Sequence, residues 1–247
     1  RTAMINLSNH SDERMRHAKM GNWFVENPQR SLANNSICYT EKPDVGAFMR
    51  EWNAIYESRS GERGIFNRQA CKDMAPIRRD VVHEFGSNPC SEIVLRSAQF
   101  CNLTEVVVRA EDTQKDILRK VRLATILGTF QASLTNIKRL RPKWVRNTEE
   151  EALLGVSLTG IMDNSFMNGT KDRGYYGKKS LPDFLNALRK ETVETNKHWS
   201  ELLGISQATA TTAIKPSGTV SQLVDSASGI HTRHNDYYFR RVRADAK

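Results

Sequence analysis

Phe85 to Val108 reads FGSNPCSEIVLRSAQFCNLTEVVV, and the fold turns on how this run divides. Gly86-Ser87-Asn88-Pro89 gathers four turn-favouring residues, so Cys90 is expected on or beside a loop. Pro89 lacks an N–H and has a fixed φ, which stiffens that loop. Glu92 to Leu95 follows. Phe100 to Val108, rich in β-branched residues, then reads as a buried strand. A strand of that kind needs helices to cover it, and the flanks supply them.

Upstream, Pro43-Asp44 opens a helix with Val45, Phe48, Met49, Trp52, Ile55 and Tyr56 at helical spacing, a face expected to be buried. Gly61 to Gly64 ends it in a loop, and Ile65-Phe66 is a short extended piece. Downstream, Asp112-Thr113 starts a long helix striped by Ile117, Val121, Ala124 and Leu127, with Phe130, Leu134 and Ile137 extending the stripe. Gly155 to Gly160 reads as an interruption of an apolar stretch. Ser180-Leu181-Pro182 is a capped start, with proline in the first turn, for a helix carrying Phe184, Leu185, Leu188, Trp199 and Leu202. Ala208 to Ile214 reads as a strand, Pro216-Ser217-Gly218 as a tight loop, and Thr219 to Val224 as the start of a helix. With strands and helices alternating, no repeat and no linker, the class is an α/β sheet or barrel.

A chain of 247 residues, 38% hydrophobic and 26% charged, with 14 Gly and 7 Pro, has a globular composition rather than a disordered or collagen-like one. Its apolar runs are far too short to cross a bilayer. No targeting peptide is recognisable, so a cytoplasmic location and no membrane partner are expected. The chain opens Arg1-Thr2-Ala3 without Met, and a strand-like stretch leads to Lys247, so it is expected to be part of a longer one. The formal charge of +9, from 37 Lys plus Arg against 28 Asp plus Glu, fits polyanionic partners. Its densest patch is Lys138, Arg139, Arg141, Lys143 and Arg146 around Trp144. A nucleic-acid site would interleave more aromatics, so the patch is read as a solvated helix end with cations at its C-terminus. Cysteines at 38, 71, 90 and 101 form no CxxC, and His231-Thr232-Arg233-His234 lacks further ligands, so neither a disulfide scaffold nor a metal site is expected.

Two constellations could carry chemistry. Glu92 stands two residues from Cys90, sharing a face with it if the segment is extended. A carboxylate suppresses a thiolate, and no His or Lys adjoins the pair in the chain, so a Cys-His hydrolase is disfavoured. A thiol that carries a hydrogen atom fits better: a thiyl radical takes hydrogen from carbon while Glu92 takes a proton from a neighbouring hydroxyl. Composition alone favours a blander role for Cys90, a small buried hydrophobe. The second constellation is Lys215 to Ser221, KPSGTVS, where a strand enters a Gly-containing loop that opens a helix. Free N–H groups there suit a phosphate, and an ordinary N-cap explains them equally well.

Phe85 to Val108 closely resembles the active-site loop and following strand of ribonucleotide reductases, with Cys90 and Cys101 eleven positions apart. Leu32 to Arg68, Glu149 to Asn164 and Ile214 to His231 extend the resemblance nearly end to end. Together they look most like the adenosylcobalamin-dependent (class II) ribonucleoside-triphosphate reductases of the monomeric type. The resemblance implies a ten-stranded α/β barrel with the radical cysteine on an internal loop, and residues 1–247 as a partial barrel that covers its second half. It implies Cys90 as the cysteine that becomes a thiyl radical and abstracts the ribose 3′-hydrogen. Glu92 is implied as the base at the 3′-hydroxyl, and Asn88 as the amide that binds substrate hydroxyls and positions Glu92. Cys101 is implied as one of two cysteines that reduce the 2′-carbon, its partner lying upstream of this chain. Pro216, Ser217, Gly218, Thr219, Val220 and Ser221 are implied as the loop holding the substrate phosphates.

The implied cofactor is adenosylcobalamin. The implied partners are a ribonucleoside triphosphate, a dNTP effector bound outside this chain, and thioredoxin or a similar dithiol. Cys38 and Cys71 match no family motif and are read as core thiols. Family members also carry a C-terminal cysteine pair that has no counterpart here, and Thr232 stands where proline is expected. Alone, the chain is expected neither to turn over nor to fold stably, because half a barrel leaves sheet edges unpaired. The alternatives are a same-fold reductase with another radical source or diphosphate substrates, and a basic nucleic-acid-binding module.

Overall fold

The structure is a computed structural model that describes residues 4–170, 180–235 and 237–239. The last of the strand-like stretch before Lys247 therefore lies outside the described residues. Seven strands and eight helices follow one another among the described residues, in two parallel units joined by a hairpin.

The first unit runs β1 (Met4–Ser8), α1 (Glu13–Arg16), α2 (Trp23–Glu26), β2 (Ala33–Tyr39), α3 (Val45–Ser58), β3 (Gly64–Asn67) and α4 (Arg68–Asp73). Its three strands pair in parallel in the order β1-β2-β3, with Ile5 opposite Asn34 and Ile37 opposite Ile65. The crossover from β2 to β3 is α3, begun by Asp44, whose Oδ1 accepts the Ala47 N–H at 2.8 Å.

The face α3 buries is not the apolar one. Ala47, Glu51 and Ala54 point inward, whereas Val45, Met49, Trp52 and Tyr56 are exposed, Trp52 to 52% and Tyr56 to 81%. Two alanines let the helix sit close to the sheet, and Glu51 is drawn inside by arginines. Arg63 grips it from Nε at 2.5 Å and Nη2 at 2.8 Å, and Arg16 Nε adds a bond at 3.0 Å. Periodicity located this helix, but a buried ion pair chose which side of it faces the sheet.

The hairpin pairs β4 (Gly86–Ser87) with β5 (Val94–Leu95), antiparallel, so the turn-rich Gly86-Ser87 is itself a short strand. Phe85 is fully buried before it, under the Arg79 guanidinium at 4.5 Å from the ring, and Arg79 in turn holds Glu151 at 3.2 and 2.9 Å.

The second unit runs β6 (Asn102–Val107), α5 (Gln114–Ala132), α6 (Pro142–Glu151), β7 (Leu154–Thr159), α7 (Leu181–Leu203) and α8 (Gly218–Leu223). β6 and β7 pair in parallel from Asn102 opposite Leu154 to Val107 opposite Thr159. β6 is only half buried: Val106 lies inside while Leu103 and the preceding Phe100 face outward. Gly155 belongs to β7 and interrupts nothing. The segment from Ala208 runs alongside β7, bonded through Leu154 N to Ala210 O at 3.0 Å and Val156 N to Thr211 O at 2.9 Å. It forms a single bridge, at Thr212, and so is an extended neighbour rather than the strand expected.

Thr113 and Asp116 cap α5 reciprocally. Its stripe is buried at Ile117, Val121 and Ala124, then drifts to Thr125, Gly128, Thr129 and Ala132, leaving Leu127, Phe130 and Leu134 exposed. Small residues there let α7 approach, and Asn196 Nδ2 reaches Thr129 Oγ1 at 3.1 Å. The helix stops at Ala132, short of Leu134 and Ile137. Val106, Val108, Ile117, Val121, Val156, Met167, Phe184 and Leu188 form the core. Pro142 starts α6 in the middle of the basic patch, so those cations surround a helix N-terminus and not a C-terminus. Trp144 packs on Phe100 with centroids 4.8 Å apart. No helix among the described residues is long and apolar enough to cross a membrane.

Candidate active site

Asn88 shapes the hairpin loop. Its Oδ1 accepts the Ile93 N–H at 3.1 Å and its carbonyl accepts the Ser91 N–H at 2.9 Å. Asn34 Nδ2 on β2 donates to Pro89 O at 2.5 Å, fastening the loop to the first unit. Ser91 has a φ of 63°, so the segment is turned, not extended. Cys90 is consequently exposed at the loop tip while the Glu92 side chain is turned inward and 2% exposed. The two do not share one face of an extended strand.

Glu92 is tied instead to a residue 123 positions away. Lys215 Nζ donates to Glu92 Oε1 at 2.5 Å, and the other carboxylate oxygen, Oε2, is buried without a hydrogen-bond partner among the described residues. Burial disfavours the Lys215 ammonium, but the hydrogen bond and charge of Glu92, with smaller contributions from nearby Cys90 and Glu105, hold its pKa above the ordinary lysine value. Lys215 was read only as the opening of the phosphate loop. A lysine closing an extended segment just before a loop was the available signal, and nothing local pointed it at Glu92.

Cys101, at the foot of β6, sits where β7 has no side chain: a Cβ on Gly155 would stand 3.3 Å from its Sγ. Burial, reinforced by the Glu92 charge, pushes the Cys101 thiol up to about 12, so it stays protonated at neutral pH. Glu105 follows four positions along, on the same side of the strand by alternation. Its Oε1 is buried without a partner among the described residues, and burial raises its pKa against the pull of Lys215. A cavity of about 380 Å³ opens beside the loop, lined by Glu92, Ile93, Cys71, Met74, Arg79 and Leu153. All four cysteines are free thiols.

The Pro216–Ser221 loop is adjacent through Lys215. Ser217, at φ 55°, precedes α8 without capping it: its Oγ donates to Lys215 O at 3.3 Å. Ser221 is fully buried and its Oγ donates to Gly218 O at 3.1 Å. Both serine hydroxyls therefore serve the backbone, whereas Pro216, Gly218, Thr219 and Val220 lie at the surface. The loop is fixed from behind by Ser228 Oγ donating to Pro216 O at 2.6 Å, and by Gly229, where a Cβ would stand 2.7 Å from Lys215 O. His231 to His234 is a loop, in which Arg233 holds Asp163 and Asp225, each at 2.9 Å.

No family model matches the chain. It is similar to a probable adenosylcobalamin-dependent ribonucleoside-triphosphate reductase of Dictyostelium discoideum, 28% identical over 229 residues, covering 88% of this chain and 28% of that protein. The adenosylcobalamin-dependent ribonucleoside-triphosphate reductase of Lactobacillus leichmannii is 27% identical over 248 residues, covering 87% of this chain and 31% of that one. The chain thus spans under a third of the length of these relatives. Among solved structures it resembles a B-12 dependent (class II) ribonucleotide reductase, with a TM-score of 0.65 at 20% identity over 92% of this chain and 34% of that chain. It also resembles the class Id ribonucleotide reductase alpha subunit of Actinobacillus ureae, with a TM-score of 0.68 at 13% identity over 96% of this chain and 50% of that one. The fold is therefore the α/β architecture of ribonucleotide reductase catalytic chains, in part. The two structures belong to different classes, so the fold by itself does not separate them.

Proposed function

We propose that this chain is part of the second half of the catalytic barrel of an adenosylcobalamin-dependent ribonucleoside-triphosphate reductase, which converts ribonucleoside triphosphates to 2′-deoxyribonucleoside triphosphates in the cytoplasm. The observation that carries this reading is Glu92: buried, held at Oε1, unpartnered at Oε2, and on the loop that presents Cys90. A buried carboxylate with one oxygen tied and one open suits a base that takes a proton from a hydroxyl placed beside it.

In this reading Cys90, as a thiyl radical, takes the 3′-hydrogen of the ribose, becoming a thiol and leaving the radical on carbon. Glu92 Oε2 takes the 3′-hydroxyl proton. The 2′-hydroxyl takes a proton from one of two thiols, Cys101 and a partner cysteine outside this chain, and leaves as water. The second thiol hydrogen goes to C2′, the pair supplies two electrons and ends as a disulfide, and Glu92 returns its proton to the 3′-oxygen. Cys90 then returns its hydrogen to C3′. The high pKa of Cys101 suits this role, since a protonated thiol has a proton to give. Asn88 uses Oδ1 to shape the loop, which leaves its Nδ2 side for a substrate hydroxyl. The backbone N–H groups at the start of α8, uncapped by a side chain, suit the triphosphate.

Adenosylcobalamin, when bound, supplies the radical that oxidises a thiol. The chain fits it at the point that matters, because Cys90 and Ser91 are exposed at the loop tip that would face it. A dNTP effector and thioredoxin or another dithiol complete the partners, engaging parts of the protein outside this chain.

The likeness to a class Id alpha subunit favours one second reading, the same chemistry with another radical source. The nucleic-acid reading loses its one aromatic, because Trp144 is packed on Phe100. CTP reduction by the full-length protein with a dithiol, with and without adenosylcobalamin, tests the proposal. Product is expected only with the cofactor. Cys90→Ser is expected to abolish it while nucleotide binding survives; reduction by the serine variant would overturn the reading.

A further inference from the structure

We infer that Lys215 is a positioning residue for the base: it fixes Glu92 through Oε1 as a carboxylate and thereby leaves Oε2 to meet the substrate hydroxyl. The inference deepens the proposed function and rests on Glu92 being the base. A carboxylate removed from water is costly unless it is paired and hydrogen-bonded. Glu92 is 2% exposed and its ion pair is with Lys215 Nζ, at 2.5 Å.

The lysine is equipped for holding. Its backbone N–H donates to Ser157 Oγ on β7 at 2.9 Å, and its carbonyl accepts Ser217 Oγ at 3.3 Å. Gly229 packs against the same carbonyl, so closely that a Cβ there would stand 2.7 Å from it. The main chain is thus clamped from three directions, and the side chain leaves from a fixed point. Its ammonium goes to Glu92. The groups facing it are Glu92 and Cys90 from the hairpin loop and Glu105 from β6; Cys101 faces Glu92 in turn, and Arg79 faces Cys101. All three groups that face this lysine are acidic or thiol, and Lys215 is the cation among them.

Two roles for this lysine predict different kinetics. A phosphate ligand sets substrate affinity, whereas a holder of the base sets the rate of proton removal and its pH dependence. The test compares Lys215→Met and Lys215→Arg in the full-length enzyme, with kcat and KM for CTP measured across pH. For K215M, kcat is expected to fall about 10²-fold with KM within about threefold of wild type, and the acidic limb of kcat/KM to move to higher pH. K215R is expected to recover much of the rate and the original limb, because it restores a cation. K215M combined with Glu92→Gln is expected to cost little more than E92Q alone. If K215M does not fold, Lys215→Gln is compared with K215R in its place. A KM effect with an unmoved pH profile would overturn the inference and make Lys215 a phosphate ligand. Wild-type enzyme that reduces no ribonucleotide under any condition would sink the functional reading and this inference with it. A wild type that reduces CTP, beside a K215M of unchanged profile, would sink the inference alone.

Discussion

The sheet of β1, β2 and β3 is closed by ions, whereas the unit of β6, β7, α5 and α7 is closed by hydrocarbon. Under α3 lie Glu51, Arg63 and Arg16, with Arg63 Nη1 also donating to Ser8 Oγ at 2.6 Å. Under α5 lie Val106, Val108 and Val156, packed against its own Val121. Both helices are amphipathic and both cross between parallel strands, yet one turns its apolar side in and the other turns it out. Burial follows whichever partner the neighbouring elements provide, and the arginines beside the sheet, Arg63 just before β3 and Arg16 on α1, outcompete the burial of a tryptophan.

The sharpest way to break this contrast is to remove one ion. Glu51→Ala strands Arg63 in the interior and is expected to cost the first unit about 3–5 kcal/mol. Ile117→Ala in the second is expected to cost about 2–4 kcal/mol through a cavity. Urea unfolding with region-resolved hydrogen exchange of the full protein reads both; an E51A loss below about 1 kcal/mol would erase the distinction.

Acid and alkali should separate the units next. Although burial alone would raise it, the Arg63 and Arg16 guanidiniums hold the Glu51 carboxyl below the ordinary glutamate value. A depressed carboxylate stabilises above the unfolded pKa and loses that contribution as pH falls through the folded one, so protection of the first unit should fade below about pH 4. Cys101 is pushed the other way, up to about 12. Its contribution is intact below the ordinary thiol value and is lost as pH rises from about 8.5 toward that figure. Hydrogen exchange around β6 should therefore speed up in alkali, and Cys101→Ser should flatten the change. Equal pH sensitivity in the two units would refute this.

The smallest effect is expected on the outer face of α3. Tyr56 is 81% exposed, so Tyr56→Ser should change stability by no more than about 0.5 kcal/mol in thermal unfolding. A markedly larger loss would mean that the remainder of the protein covers this face.

The caps and turns were open to reading because their causes are local. Asp44, Thr113 and Ser180 each cap the helix they were expected to start. Cys90 lies on a loop because Asn88 and Pro89 make one. What escaped was decided by partners distant in the chain. Glu51 is buried for the sake of Arg63, β6 is exposed along Leu103, and the run from Ala208 never acquires a full ladder. Lys215 escaped for the same reason: nothing in KPSGTVS says that the lysine reaches back to the hairpin. The Ser217 and Ser221 hydroxyls donate to backbone carbonyls within their own loop, which KPSGTVS does not announce either.

The span of the Glu92–Lys215 contact bears on how the protein is made. A ribosome delivers residue 92 long before residue 215, and 123 positions separate them. Throughout that interval the hairpin can form from its own local bonds while the carboxylate has no counter-ion. A nascent chain must then keep Glu92 in water or protonate it, and neither state is the buried carboxylate of the finished site. The Glu92 contact is completed only once the loop before α8 has arrived and docked against β7. Chains stalled or cleaved ahead of residue 215 carry the hairpin loop without the cation that holds Glu92 in place.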